Sequence, residues 1–125
     1  MAYEMYWLRP ERVLYVSYQG YQNVETLKET LDAMANELDK VTRPVVVLIN
    51  WLEVTGSDRG AGFKMQGHRA YSHPMAARGV LVGFDAQMSF ENEVSVVQTR
   101  GDKNTMYFKT MDEAMSFLQS MLTMD

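Results

Sequence analysis

Two short apolar runs constrain this chain more than any other feature. Val45 to Ile49 follows Pro44 without a single polar residue, and Gly79 to Phe84 (GVLVGF) repeats the pattern later in the chain. A strand that is apolar at every position, rather than at every second one, is covered on both faces, which is the situation of a central strand. The Gly56 to Pro74 stretch between the two runs is long enough for a crossover connection. The two strands are therefore expected to run parallel.

The flanking segments extend this sheet. Tyr3 to Leu8 is short and aromatic and ends at Pro10, as an edge strand does before a turn. Val13 to Gly20 alternates Val13, Tyr15 and Ser17 with Leu14, Val16 and Tyr18, so a second strand follows, antiparallel to the first because the connection is so short. From Val24 the period changes: Val24, Leu27, Leu31, Met34, Leu38 and Val41 recur at three and four, the stripe of an amphipathic helix capped by Asn23. A second helix is expected from about Ala61 to Tyr71, and a third from Ser89, burying Phe90, Val94 and Val97 and stopping near Gly101. Thr105 to Phe108 is a short last strand. Thr110 and Glu113 form a capping box for a final helix with Ala114, Phe117, Leu118 and Met121 inward. The element order is ββαβαβαβα in one α/β domain spanning residues 1–125, a size that suits a single core.

Composition narrows the chemistry. No cysteine occurs, which removes disulfides, thiolate metal sites and cysteine nucleophiles and suits a reducing cytoplasm. No run of eighteen apolar residues and no basic leader followed by an apolar core is present, so neither a membrane span nor an export signal is expected. The net charge of -4 argues against a nucleic-acid binder. The charge is unevenly spread, however: Arg59, Lys64, Arg69 and Arg78 lie in a segment without any acid. That segment is either a solvated basic face or a place for an anionic ligand or partner.

A catalytic constellation is hard to assemble from these residues. His68 and His73 are five apart, which on a helix turns them roughly 140° from each other, so a shared metal is not expected. Gly60-Ala61-Gly62 lacks the third glycine of a dinucleotide fingerprint, and neither a phosphate-binding Gly-Lys-Ser/Thr sequence nor a Gly-x-Ser-x-Gly elbow occurs. No cofactor is called for, and the chain is expected to be no enzyme. Were there an activity, Ser57, His68, Arg69, His73 and Arg78, gathered at one end of the sheet, would be the place for it.

The element order and four segments, LYVSYQG at 14–20, VVVLINWLEV at 45–54, HPMAARGVLVGF at 73–84 and YFKTMDEAMSFL at 107–118, resemble the STAS-like (SpoIIAA-like) domain family, which includes the anti-anti-sigma factors. The resemblance frames nearly the whole chain. It implies a mixed sheet of about five strands with four helices mainly on one side, and a non-enzymatic binding or regulatory module acting through protein–protein interaction. In the phospho-regulated branch a serine after the third strand, at the start of the next helix, is modified. Ser57 is the matching position here, with an ordinary helix cap as its plainer role. The loop lacks that branch's aspartate-serine-serine run, and Asn50 stands where relatives often carry aspartate. Other relatives imply a carrier or sensor of a lipid-like or anionic small molecule. For such a ligand the candidates are Ser57, Arg59, Lys64, His68, Arg69, His73 and Arg78. Eleven methionines suit an adaptable apolar site, and fill an irregular core equally well.

Six of the aromatic residues, Tyr3, Tyr6, Trp7, Tyr15, Tyr18 and Tyr21, crowd into the first two strands. If helices cover only one side of the sheet, the other side needs a partner, and aromatic rings make good contact surfaces. A homodimer is expected through this face, with Tyr6, Tyr15 and Tyr18 in the interface.

Overall fold

The two apolar runs lie side by side in parallel, Val46 against Arg78, Val47 against Gly79, Leu48 against Val80 and Ile49 against Leu81. They form the middle of a five-stranded sheet in a computed structural model that describes residues 3–60, 64, 67–70, 72–83 and 105–123. The elements are β1 (Tyr3–Arg9), β2 (Val13–Gln22), α1 (Val24–Asp39), β3 (Val45–Ser57), β4 (Ala76–Val82), β5 (Thr105–Phe108) and α2 (Met111–Thr123). The strands follow one another across the sheet in chain order; β1 is antiparallel to β2, and every other pair is parallel.

Successive residues of the central strands point to opposite faces, and each face has its own core. On one side Leu14, Val16, Tyr18, Val47 and Leu81 pack beneath Leu27, Leu31, Met34, Ala35 and Leu38 of α1. On the other Val13, Val46, Leu48, Val80 and Val82 pack beneath Ala114 and Leu118 of α2. This is why the runs carry no polar alternation. Each buried Leu or Val contributes about 1.5–3 kcal/mol relative to exposure. The start of α1 is fixed as its sequence implied: Asn23 Oδ1 accepts from Thr26 N at 2.8 Å, and Thr26 Oγ1 accepts from Asn23 N at 2.9 Å. Thr110 Oγ1 likewise accepts from Glu113 N at 3.2 Å at the head of α2.

Four expectations change. Among the described residues there are two helices, one on each face, rather than four mainly on one side. The stretch expected as a helix from Ala61 to Tyr71 is not helical over Gly67–Ala70, although Lys64 sits in a helical turn that bonds back to Gly60. The His68 ring explains the break: its Nδ1 accepts the amide of Ala70, two residues ahead, a local bond that competes with the helical one. Third, β3 runs on to Ser57, well past Ile49, because β2 continues alongside it as far as Gln22, with register shifts after Ser17 and Gly20 and Gly20 at φ 74°. Fourth, β4 starts at Ala76 rather than Gly79. The helix expected from Ser89, and Phe84 at the end of the fourth strand, lie outside the described residues. No described helix is long and apolar enough to cross a membrane.

Candidate functional site

The candidate ligand residues separate into three places. Asp32, Asn36 and Asp39 fall at i, i+4 and i+7 on α1 and make one polar stripe, and the chain after Gly67 lies along it. His68 Nε2 is 2.6 Å from Asp32 Oδ1. The Arg69 guanidinium grips Asp39 with two bonds, at 3.0 and 2.9 Å, and donates a third to Asn36 Oδ1 at 3.2 Å. His73 Nε2 is 2.7 Å from the same Asp39. Arg69 first, and His73 second, hold the Asp39 carboxyl down at about 2. Asp32 is lowered by His68 and then Lys28, and Arg69 is raised by Asp39.

The two histidines share one hydrogen-bond pattern. Ala70 N donates to His68 Nδ1 at 3.1 Å, and Met75 N donates to His73 Nδ1 at 3.1 Å. A ring nitrogen that accepts an amide hydrogen carries none itself, so the pattern assigns the proton to Nε2, which faces the carboxylate. Both nitrogens of both rings are therefore committed. Among the described residues no group of three His, Cys, Asp or Glu side chains could hold a metal ion.

Arg78 lies elsewhere, 5.9 Å from the centre of the Phe117 ring and so on the α2 side of the sheet. Arg59 and Lys64 are exposed in and just after the turn that follows β3. What the sequence presents as one basic patch is thus an internal clamp (His68, Arg69, His73), a contact to α2 (Arg78) and two solvent-facing cations. Its acidic counterpart on α1 was the signal: Asp32 and Asp39 are spaced to share one face.

Ser57 is the last residue of β3, opposite Gln22 of β2. It does not cap a helix. The β3–β4 pairing ends at Asn50 and Val82, whereas β2 and β3 continue together through Gln19 with Glu53 to Gln22 with Ser57. These two strands make a tongue at the C-terminal end of the parallel strands. Its far end is a closed polar network. The buried Gln22 donates to Gln19 O at 2.9 Å and accepts from Thr26 Oγ1 at 3.2 Å. Asp58 N donates to Gln22 O at 3.0 Å. The Asp58 carboxylate takes the Tyr21 hydroxyl at 2.6 Å with one oxygen and Val24 N, at the start of α1, at 3.2 Å with the other. That bond to Asp58 raises the Tyr21 pKa above its ordinary value. Gly56 leaves room for the Tyr21 ring, since a Cβ there would stand 3.3 Å from Tyr21 Cδ2. Tyr21 is nevertheless 54% exposed, and Leu52, where β3 leaves β4, is 49% exposed. Tyr21 was one of the six N-terminal aromatics the sequence singled out, whereas Leu52 did not stand out, being one apolar residue among many; its exposure follows from the place where β4 stops.

The three tyrosines expected in a dimer interface do not share a face. Tyr18 is buried under α1 against Trp51, ring centres 4.9 Å apart. Tyr15 lies on the α2 side, receives a hydrogen bond from Asn50 Nδ2 at 2.9 Å, and packs its ring, tilted by 50°, 5.0 Å from that of Tyr6, which is 49% exposed. Period two in β2 demands this split. Since α2 covers much of that face, the sheet is not left bare as expected. A groove of about 700 Å³ follows the outer side of β1, between Tyr3, Met5 and Tyr6 and the α1 residues Ala33, Asn36 and Lys40.

No family model matches the chain, and no curated protein matches it in sequence. Solved structures do match in shape. The anti-sigma factor antagonist SpoIIAA in its unphosphorylated form superposes with a TM-score of 0.62 at 11% identity, covering 94% of this chain and 98% of that one. The Bacillus cell fate determinant SpoIIAA in the phosphorylated form gives 0.59 at 15%, over 94% and 99%. An uncharacterised protein with a SpoIIAA-like fold from Shewanella loihica gives 0.64 at 17%, over 94% and 92%. At these identities the likeness is one of architecture, and it extends over nearly the full length of each of these three chains: this protein has the SpoIIAA-like, STAS-type fold.

Proposed function

We propose that the chain is a non-enzymatic regulatory module that works by protein–protein contact at the tongue formed by β2 and β3. The observation that carries this reading is the exposure of two apolar side chains along the tongue, Tyr21 fixed at its far end by the polar network around Asp58 and Leu52 at its root with its amide bonded to Asn50 Oδ1. Large rings and branched side chains held out on a braced strand suit contact with another protein. Both histidines are engaged in hydrogen bonds within the chain, and SpoIIAA, of the same fold, is described as an anti-sigma factor antagonist.

Ser57, at the tip of the tongue, is the place for control. A phosphate adds about -1.5 to -2 charge. It would sit next to Asp58, whose carboxylate already occupies the start of α1, with Arg59 two residues ahead as the nearest cation in sequence. Added negative charge there would change what the tongue accepts.

The test is native mass spectrometry on protein purified gently from its own host, beside the denatured mass of the same sample. The expected result is a stoichiometric complex with a second protein, lost in Leu52→Asp at unchanged melting temperature; one covalent phosphate, absent from Ser57→Ala, would establish the control. A small mass released on denaturation, with no protein bound, would overturn the reading in favour of a carrier. The layer between α1 and the sheet is filled by Leu27, Leu31, Met34, Ala35 and Leu38, so among the described residues the groove beside β1 is the first place to look for a carried molecule.

A further inference from the structure

An edge strand exposes a row of backbone donors and acceptors, and proteins commonly protect it with lysine, proline or an inward charge. β1 is the outer strand of the sheet, and from Tyr3 to Leu8 it has neither lysine nor proline. Its side chains alternate: Met5 and Trp7 pack toward the α1 core, while Tyr6 and Leu8 lie on the α2 side with Tyr15. The register shifts between Trp7 and Arg9, so that Leu8 and Arg9 together face Val13. Such a bulge turns Arg9 toward the face of Leu8.

Antiparallel neighbours share a face, so two copies of one strand can pair about a two-fold axis only when the axis passes through a residue. With the axis at Tyr6, the whole strand is used. Tyr6 then meets its own copy, Met5 meets Trp7 of the second copy on the α1 side, and Glu4 meets Leu8 of the second copy with Arg9 of that copy beside it. The contact repeats by symmetry, giving two Glu4–Arg9 pairs. Glu4 is exposed and already positioned by a 2.6 Å bond from Gln19 Nε2, and no acid pairs with Arg9 among the described residues. Centring on Met5 shortens the overlap and moves Glu4 away from Arg9, and centring on Trp7 shortens it to Met5–Arg9 and leaves Glu4 opposite Pro10, outside the strand.

We infer that β1 is the interface of a homodimer, pairing with β1 of a second copy through the Tyr6 axis to form one ten-stranded sheet whose groove beside α1 is occupied by the partner strand. This rests on the reading that the chain works through protein contact, and names the second copy as one such contact. The two separate cleanly: a monomeric wild-type chain overturns the dimer alone, whereas the earlier reading falls with the behaviour of Leu52.

Sedimentation equilibrium on the full chain provides the test. Wild type is expected to be dimeric at micromolar concentration. Glu4→Arg and Arg9→Glu each place like charges at both symmetric contacts and should weaken the dimer about tenfold or more. Both positions are exposed, so melting and circular dichroism should show each variant folded. An equimolar mixture of the two variants sets the introduced arginine against the introduced glutamate at one contact, and the native Arg9 against the native Glu4 at the other. It should recover a dimer containing one copy of each. A monomeric wild type, an undiminished dimer in both variants, or folded variants that fail to recover on mixing would each overturn the proposal.

Discussion

His73 Nε2 stands 2.7 Å from Asp39 Oδ1, and the same carboxylate is held by both terminal nitrogens of Arg69. One exposed side chain of α1 thereby fastens the chain segment that leads into β4. Arg69, and after it His73, lower the Asp39 pKa to about 2. A carboxyl with a lowered folded pKa contributes stability that is complete above its unfolded value and lost as the pH falls through the folded one. Asp39→Asn should therefore melt below wild type near neutral pH, with the gap closing between about 4 and about 2. Added salt should narrow the gap, since Asp39 is exposed. Thermal melts across pH check this; a gap that ignores pH would refute it.

Asp58 joins three elements, and its removal has two separate readouts. Asp58→Ala leaves Val24 N without its acceptor and should cost about 1 kcal/mol in chemical denaturation, the usual penalty for a lost cap. It should also return the raised Tyr21 pKa to its ordinary value, seen in ultraviolet titration of the phenol. For a group whose folded pKa is raised, the stabilisation is present below the unfolded pKa and disappears as the pH rises through the folded one. The alkaline stability of wild type should accordingly fall over a range in which that of Asp58→Ala is flat.

The parts of this fold legible in the sequence are those set by local periodicity. The stripe from Leu27 to Leu38 gave α1, and the runs at Val45 and Gly79 gave the central pair, because burial repeats at 3.6 or at every residue. The side of the sheet on which α2 packs was not legible, since Ala114 and Leu118 would form the same stripe on either face. Nor was the fate of the basic segment. His68, Arg69 and His73 look free when read along the chain; their partners, Asp32 and Asp39, are thirty or more residues away and meet them only after the sheet has formed. The length of β3 was hidden for a similar reason: Glu53 to Ser57 is held as strand by β2, whose register is reset at Gly20.

Two cores on opposite faces predict two comparable penalties. Leu31 is 1% exposed beneath the α1 side, and Leu118 is 2% exposed on the α2 side. Leu31→Ala and Leu118→Ala should each cost about 2–5 kcal/mol, by lost transfer energy and the cavity left behind. Equilibrium denaturation checks both. If helices covered only one face, Leu118→Ala would behave as a surface change, so a penalty below about 0.5 kcal/mol would refute the two-sided packing.

Gly83 closes β4 at φ 91°, and its amide donates to Phe108 O at 3.0 Å. A Cβ added there would lie 2.9 Å from Leu52 Cδ2 and 3.1 Å from Leu52 N. The first contact can relax by a rotation of the leucine. The second is to backbone, held by the bond from Leu52 N to Asn50 Oδ1 at 2.9 Å. Backbone strain adds to both, because a side chain is disfavoured at this φ. Gly83→Ala should then cost about 1–3 kcal/mol. In a Leu52→Ala background the same change should cost less, though not nothing, as the side-chain overlap is gone while the contact with Leu52 N and the positive φ remain. A double-mutant cycle in denaturant separates these contributions. Full rescue would assign the penalty to the Leu52 side chain alone, and no rescue would place it entirely in the backbone.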